Sequence, residues 1–179
     1  MVWNHWDDSI PIITPIRGHL LLGNAAAARD RTTLEYYGVK RILSVMNLTD
    51  YLPSADLCDS LHIQHAIFPI ADESFPYLTA DVLKQKLIEV IFPWIKESED
   101  EQKTVLIHCF ASRSRSTSLV ITYLIWNDGA KFEQILNRLY EIHPLTNPVP
   151  ETLQSFLESI GKRLPEWYEE KWEERWQQR

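Results

Sequence analysis

Residues 105–117 read Val-Leu-Ile-His-Cys-Phe-Ala-Ser-Arg-Ser-Arg-Ser-Thr, and no other segment restricts the fold as much. The apolar run that ends at His108 has the length and composition of a buried strand. A polar loop follows. From Ser114 an apolar-rich stretch runs to Asn127 and reads as a helix that stops before Gly129. Strand, loop and helix in immediate succession aim backbone N–H groups and the positive end of the helix dipole at one point. Such a point holds a phosphate dianion.

Cys109 stands where those partial positive charges converge. That setting favours the thiolate, the nucleophilic form of the side chain. Arg115 follows after five intervening residues. A loop of that length curls so that the planar guanidinium meets two phosphate oxygens and the charge spread over a transition state. Phe110, Ala111, Ser112, Arg113 and Ser114 supply, with Arg115, the wall around the anion. His108 is placed to orient the loop backbone. The Ser116 hydroxyl is placed to donate to the cysteine sulfur and help it leave when a phosphocysteine is hydrolysed. The leaving oxygen also needs a proton donor. Asp72, in the turn-rich run 69–76 after a strand, is the first candidate and Glu73 beside it the second. In the second half of the reaction the same carboxylate activates water.

The rest of the chain supplies a sheet and its helices. Residues 19–24 read as a short strand ended by Gly23, residues 25–36 as an alanine-rich helix stopped at Gly38, and residues 39–46 as a buried strand. Residues 62–70 read as a third strand. Thr79 caps a helix over 80–97, with Val82, Leu83, Leu87, Val90, Ile91 and Trp94 as its apolar positions. Helices follow over 131–142 and 151–164. Residues 1–15, broken by Pro11 and Pro15, read as irregular. Strands alternating with helices, and then a run of helices, predict an α/β or α+β sheet domain.

His-Cys, five residues, then Arg-Ser resembles the signature of the protein tyrosine phosphatase superfamily, in its dual-specificity branch. Leu20-Leu-Leu-Gly-Asn24, Tyr37-Gly-Val-Lys-Arg-Ile-Leu-Ser-Val45, Asp72 after a strand, and Ser114-Arg-Ser-Thr117 leading into Leu119-Val-Ile-Thr-Tyr-Leu124 carry the likeness further. It implies an α/β fold with a central, mostly parallel sheet flanked by helices. It implies Cys109 as nucleophile, Arg115 as the phosphate-binding arginine and Asp72 as general acid, with no metal and no cofactor. One position departs from the pattern. Where the family has a glycine, three residues after the cysteine, this chain has Ser112. If that site requires a positive φ, serine costs on the order of 1 kcal/mol. Arg113 allows two roles, a packing arginine or a second cation at the rim of the pocket.

The predicted organisation is an N-terminal extension over residues 1–16, a phosphatase domain over 17–164 and a tryptophan-rich charged helix over 165–179. In that last segment Tyr168, Trp172 and Trp176 recur every four residues as a docking stripe. Cys58 and Cys109, the two cysteines, suggest no disulfide framework and fit a reducing cytoplasm, with Cys58 as an ordinary core residue. A net charge of −7 argues against nucleic acid and anionic membrane as partners. No apolar run approaches the ~20 residues of a membrane span. The expected substrate is a phosphorylated protein. The same chemistry on a phospholipid, phosphoinositide or other small phosphate ester is the second reading, and a phosphate-binding pseudophosphatase the third.

Overall fold

The computed structural model describes residues 9–70 and 79–177. Among them, five strands form one sheet: β1 (Ile13–Arg17), β2 (Leu20–Gly23), β3 (Val39–Ser44), β4 (Gln64–Ile67) and β5 (Thr104–His108), in the order β1-β2-β5-β3-β4. β2, β5, β3 and β4 are parallel neighbours, and β1 joins the edge antiparallel to β2. The predicted mostly parallel sheet is therefore present.

Parallel strands are stable when both faces are covered, and the side chains of β5 show how that is done. Val105 and Ile107 face one core, with Leu20, Leu22 and Leu43; Leu106 faces the other, with Leu21, Ile42 and Val39. The smaller core is closed by α1 (Ala25–Arg29), α2 (Arg31–Tyr36) and α3 (Ala55–Leu61), which contribute Ala28, Leu34 and the buried Cys58. The larger core holds α4 (Ala80–Gln85), α5 (Phe92–Asp100), α6 (Arg115–Asp128), α7 (Phe132–Ile142) and α8 (Pro150–Ser159). The last helix, α9 (Trp167–Gln177), seals that side with the buried Tyr168, whose hydroxyl donates to the Pro148 carbonyl at 2.8 Å.

Three departures from the sequence reading have local causes. β1 begins at Ile13, inside the run predicted as irregular. Pro15 has no N–H, so it is tolerated only where one side of a strand is unpaired, and β1 is an edge strand. The single helix predicted over 25–36 is two. Asp30 breaks it by accepting from the Thr33 N–H at 2.8 Å and so capping a new helix. The long helix after Thr79 runs on to Asp100 but widens into a π turn over Lys86–Ile91. Pro93 has no N–H for the Glu89 carbonyl, and its ring crowds that oxygen.

Gly23 ends β2 where three strands come close. A Cβ there would meet the Ile12 carbonyl at 2.8 Å and Leu106 Cδ1 at 3.0 Å. Gly23→Ala is expected to lower stability by about 1–3 kcal/mol through overpacking. A urea midpoint equal to that of the parent would show that the strands separate freely.

Candidate active site

The end of β5 delivers Cys109 to the carboxyl edge of the sheet, and α6 begins at Arg115. In α/β folds this edge is where ligands bind. The structure brings together what the sequence placed in one loop. Cys109 is buried, and Ser116 Oγ donates to its Sγ at 3.1 Å. Arg115 is 3% exposed, with Nη1 at 3.4 Å from the Ile70 carbonyl. Asp72 and Glu73 lie outside the described residues, two and three positions beyond that carbonyl.

The loop is held by its carbonyls. The Cys109 carbonyl faces His108 Nδ1 at 3.3 Å, and the Phe110 carbonyl accepts from the Ala25 N–H, at the start of α1, at 3.0 Å. The Ser112 carbonyl accepts twice, from His143 Nε2 at 2.7 Å and from Thr117 Oγ1 at 3.2 Å. The Arg113 carbonyl accepts from the Asn147 N–H at 2.9 Å. In a trans peptide the N–H points opposite to the C=O. Four carbonyls drawn outward therefore turn the amides of Phe110, Ala111, Arg113 and Ser114 inward, above Cys109. The Ser114 side chain is fixed as well, its Oγ accepting from the Val149 N–H at 2.9 Å.

Ser112 has φ +57°, is fully buried, and its hydroxyl has no hydrogen-bond partner. The positive φ that a glycine would adopt freely is thus required here, at a cost to serine of roughly 1 kcal/mol. Phe110 packs edge-to-face on Tyr51, centroids 4.7 Å apart, and the Arg29 guanidinium lies over Tyr51 at 5.3 Å. Tyr51 ends the short helical turn Thr49–Tyr51 that follows β3. The Arg113 guanidinium lies 5.7 Å from the centre of the Trp176 ring, which brings α9 to the edge of the loop.

Three imidazoles, those of His65, His108 and His143, support this arrangement from behind. His108 Nδ1 faces a carbonyl, which only accepts, so Nδ1 carries the proton. Nε2 then accepts from Ser44 Oγ at 2.6 Å, and Ser44 Oγ accepts from His65 Nε2 at 2.8 Å. Burial pushes His108 down to about 3, aided by the charges of Arg115 and Arg29, while its bond to the Cys109 carbonyl opposes the shift. Burial likewise lowers His65 and His143. The sequence reading passed over Ser44, His65 and His143. None lies in the loop, and His143 is 31 positions from the carbonyl it holds. A histidine before a proline carries no local signal of such a role.

The unfolded chain protonates His108 near its ordinary 6.5, the folded protein only near 3. The stability that comes from keeping it neutral is complete above the first value and is lost as pH falls towards the second. The urea midpoint is expected to drop between about pH 7 and about pH 5, above the range in which carboxylates titrate. His108→Asn should flatten that drop. A midpoint constant over this interval would contradict the burial of neutral imidazoles.

Comparison with known proteins points to one family. Residues 20–159 match the family model described as dual specificity phosphatase, catalytic domain. The chain is 27% identical over 148 residues to dual specificity protein phosphatase 1 of Arabidopsis thaliana, covering 79% of this chain and 65% of that protein. It is 26% identical over 126 residues to the Arabidopsis thaliana phosphatidylglycerophosphate phosphatase PTPMT2, covering 70% of this chain and 53% of the relative. The chain thus spans less than two thirds of the length of either. The crystal structure of DUSP15 superimposes with a TM-score of 0.68 at 26% identity, covering 91% of this chain and 96% of that one.

Proposed function

The chain belongs to the dual specificity phosphatase family, and from that premise we propose that it hydrolyses phosphate monoesters on proteins, phosphotyrosine and phosphoserine or phosphothreonine alike, through a phosphocysteine. The observation that carries this reading is the set of loop carbonyls drawn outward around Cys109, which leaves inward amides to cradle a phosphoryl group.

In the first step Cys109 Sγ attacks phosphorus. The S–P bond forms, the P–O bond to the leaving group breaks, and Asp72 gives that oxygen its proton. Arg115 and the loop amides hold the equatorial oxygens, where charge is spread in the transition state. In the second step Asp72, now a carboxylate, takes a proton from water. The water oxygen attacks phosphorus, and Sγ departs as a thiolate stabilised by the Ser116 hydroxyl, which sits 3.1 Å from it. The entry of the chain into the Asp72 segment next to Arg115 supports this assignment of the acid, as does the family likeness.

A reactive thiol needs a reducing compartment, and we place the protein in the cytoplasm. No helix among the described residues is long and apolar enough to cross a membrane.

Cys109→Ser is expected to abolish turnover of p-nitrophenyl phosphate, and activity equal to the parent would overturn the mechanism. Asp72→Ala should slow phosphopeptides far more than p-nitrophenyl phosphate, whose leaving group needs no proton. Equal losses on both would remove Asp72 from the role of acid. A panel adding phosphatidylglycerophosphate tests the substrate class, since faster turnover of the lipid than of phosphopeptides would replace the protein reading with the phospholipid one.

A further inference from the structure

We propose that His143 is a positioning residue for the phosphate loop, holding the Ser112 carbonyl outward so that the Arg113 amide faces the phosphate. The inference rests on the reading of this loop as a phosphate site.

Ser112 occupies the left-handed region at φ +57°, a conformation that glycine adopts freely and serine resists. Its own hydroxyl contributes nothing, being buried without a hydrogen-bond partner. What opposes relaxation is the peptide unit that follows, whose oxygen is clamped by His143 Nε2 at 2.7 Å and Thr117 Oγ1 at 3.2 Å. If that unit turned over, its carbonyl oxygen would face the anion and its N–H would be lost to it, reversing the sign of one wall of the pocket.

The imidazole is set for this task by a second contact. Its Nε2 must donate, because a carbonyl only accepts. Its Nδ1 is therefore an acceptor, and Thr14 Oγ1 in β1 supplies the matching donor at 2.8 Å. His143 follows α7, where its backbone N–H donates to the Leu139 carbonyl at 2.8 Å, and its ring is buried. An edge strand, a helix end and the loop are thus joined through one neutral ring. In this chain the ring and Thr117 do for Ser112 what the absence of a side chain does for glycine.

The test reads inorganic phosphate binding through the ¹⁵N shift of the Arg113 amide, alongside kcat/KM on p-nitrophenyl phosphate and the melting temperature. His143→Ala is expected to weaken phosphate binding and lower kcat/KM by about tenfold, the size of one net hydrogen bond. His143→Gln, which keeps an N–H in reach, should retain most of both. Ser112→Gly should restore phosphate binding to the His143→Ala background, because glycine holds the positive φ unaided. If His143→Ala does not fold, Thr14→Val replaces it: losing the donor to Nδ1 frees the ring to present a lone pair to the carbonyl, and Ser112→Gly should rescue that loss too. A lower melting temperature with unchanged phosphate affinity and kcat/KM would reduce His143 to a structural residue and overturn the proposal. So would failure of Ser112→Gly to rescue. A parent protein that neither binds phosphate nor hydrolyses the ester would overturn the phosphatase reading itself, an outcome seen before any variant is made.

Discussion

The candidate site depends on where the carbonyl oxygens of residues 109, 110, 112 and 113 point. A pocket for phosphate built from backbone needs its N–H groups converging, and a peptide unit turns as a whole. Left to itself, a polar loop has no reason to turn four carbonyls the same way. Here each is drawn outward by a donor from a different part of the chain: His108 at the end of β5, the first N–H of α1, Thr117 in α6 with His143 at the end of α7, and the Asn147 N–H before α8. The elements that surround the loop are there to close the cores, but their termini also finish the site.

The charges are sorted along the strands in keeping with this. The site lies at the carboxyl ends of the parallel strands. At the opposite end, Arg41 is anchored by the Trp94 carbonyl, Ser98 and Glu97, while Arg17 meets Glu99 and Asp128. Behind the loop the polar side chains are uncharged: Ser44, His65, His108, Thr14 and His143 pass hydrogen bonds without carrying charge. Burial holds the imidazoles neutral, and the nearby arginines push His108 the same way. An imidazolium there would add a second desolvated charge close to the buried guanidinium of Arg115.

Much of the site was legible because its chemistry is local. Cys109, Arg115, Ser116 and the loop between them fit within eight positions, and the strand before and helix after them follow from apolar patterning. The sheet was legible for the same reason, since β2, β3 and β5 are short apolar runs. Where local signals misled, a nonlocal circumstance had intervened. Pro15 argues against a strand unless that strand lies at an edge. Asp30 looks like any polar residue on an alanine-rich helix until its side chain caps the next one. Tyr51 is one of several aromatics until the fold sets it against Phe110. The glycine-free loop was visible as an anomaly at Ser112, but its remedy was not, because His143 and Thr14 are distant in sequence and ordinary in type.

The sequence by itself determined that Cys109, the loop and Arg115 lie where a strand passes into a helix, because covalent succession forces those groups to be neighbours. It also determined that position 112 would be strained if the loop bent as its spacing required. Only the tertiary structure decided how that strain is borne. The physical reason is that a carbonyl's partner is chosen by proximity in space, and the residues brought to Ser112 belong to an edge strand and a helix end that meet only once the sheet has formed.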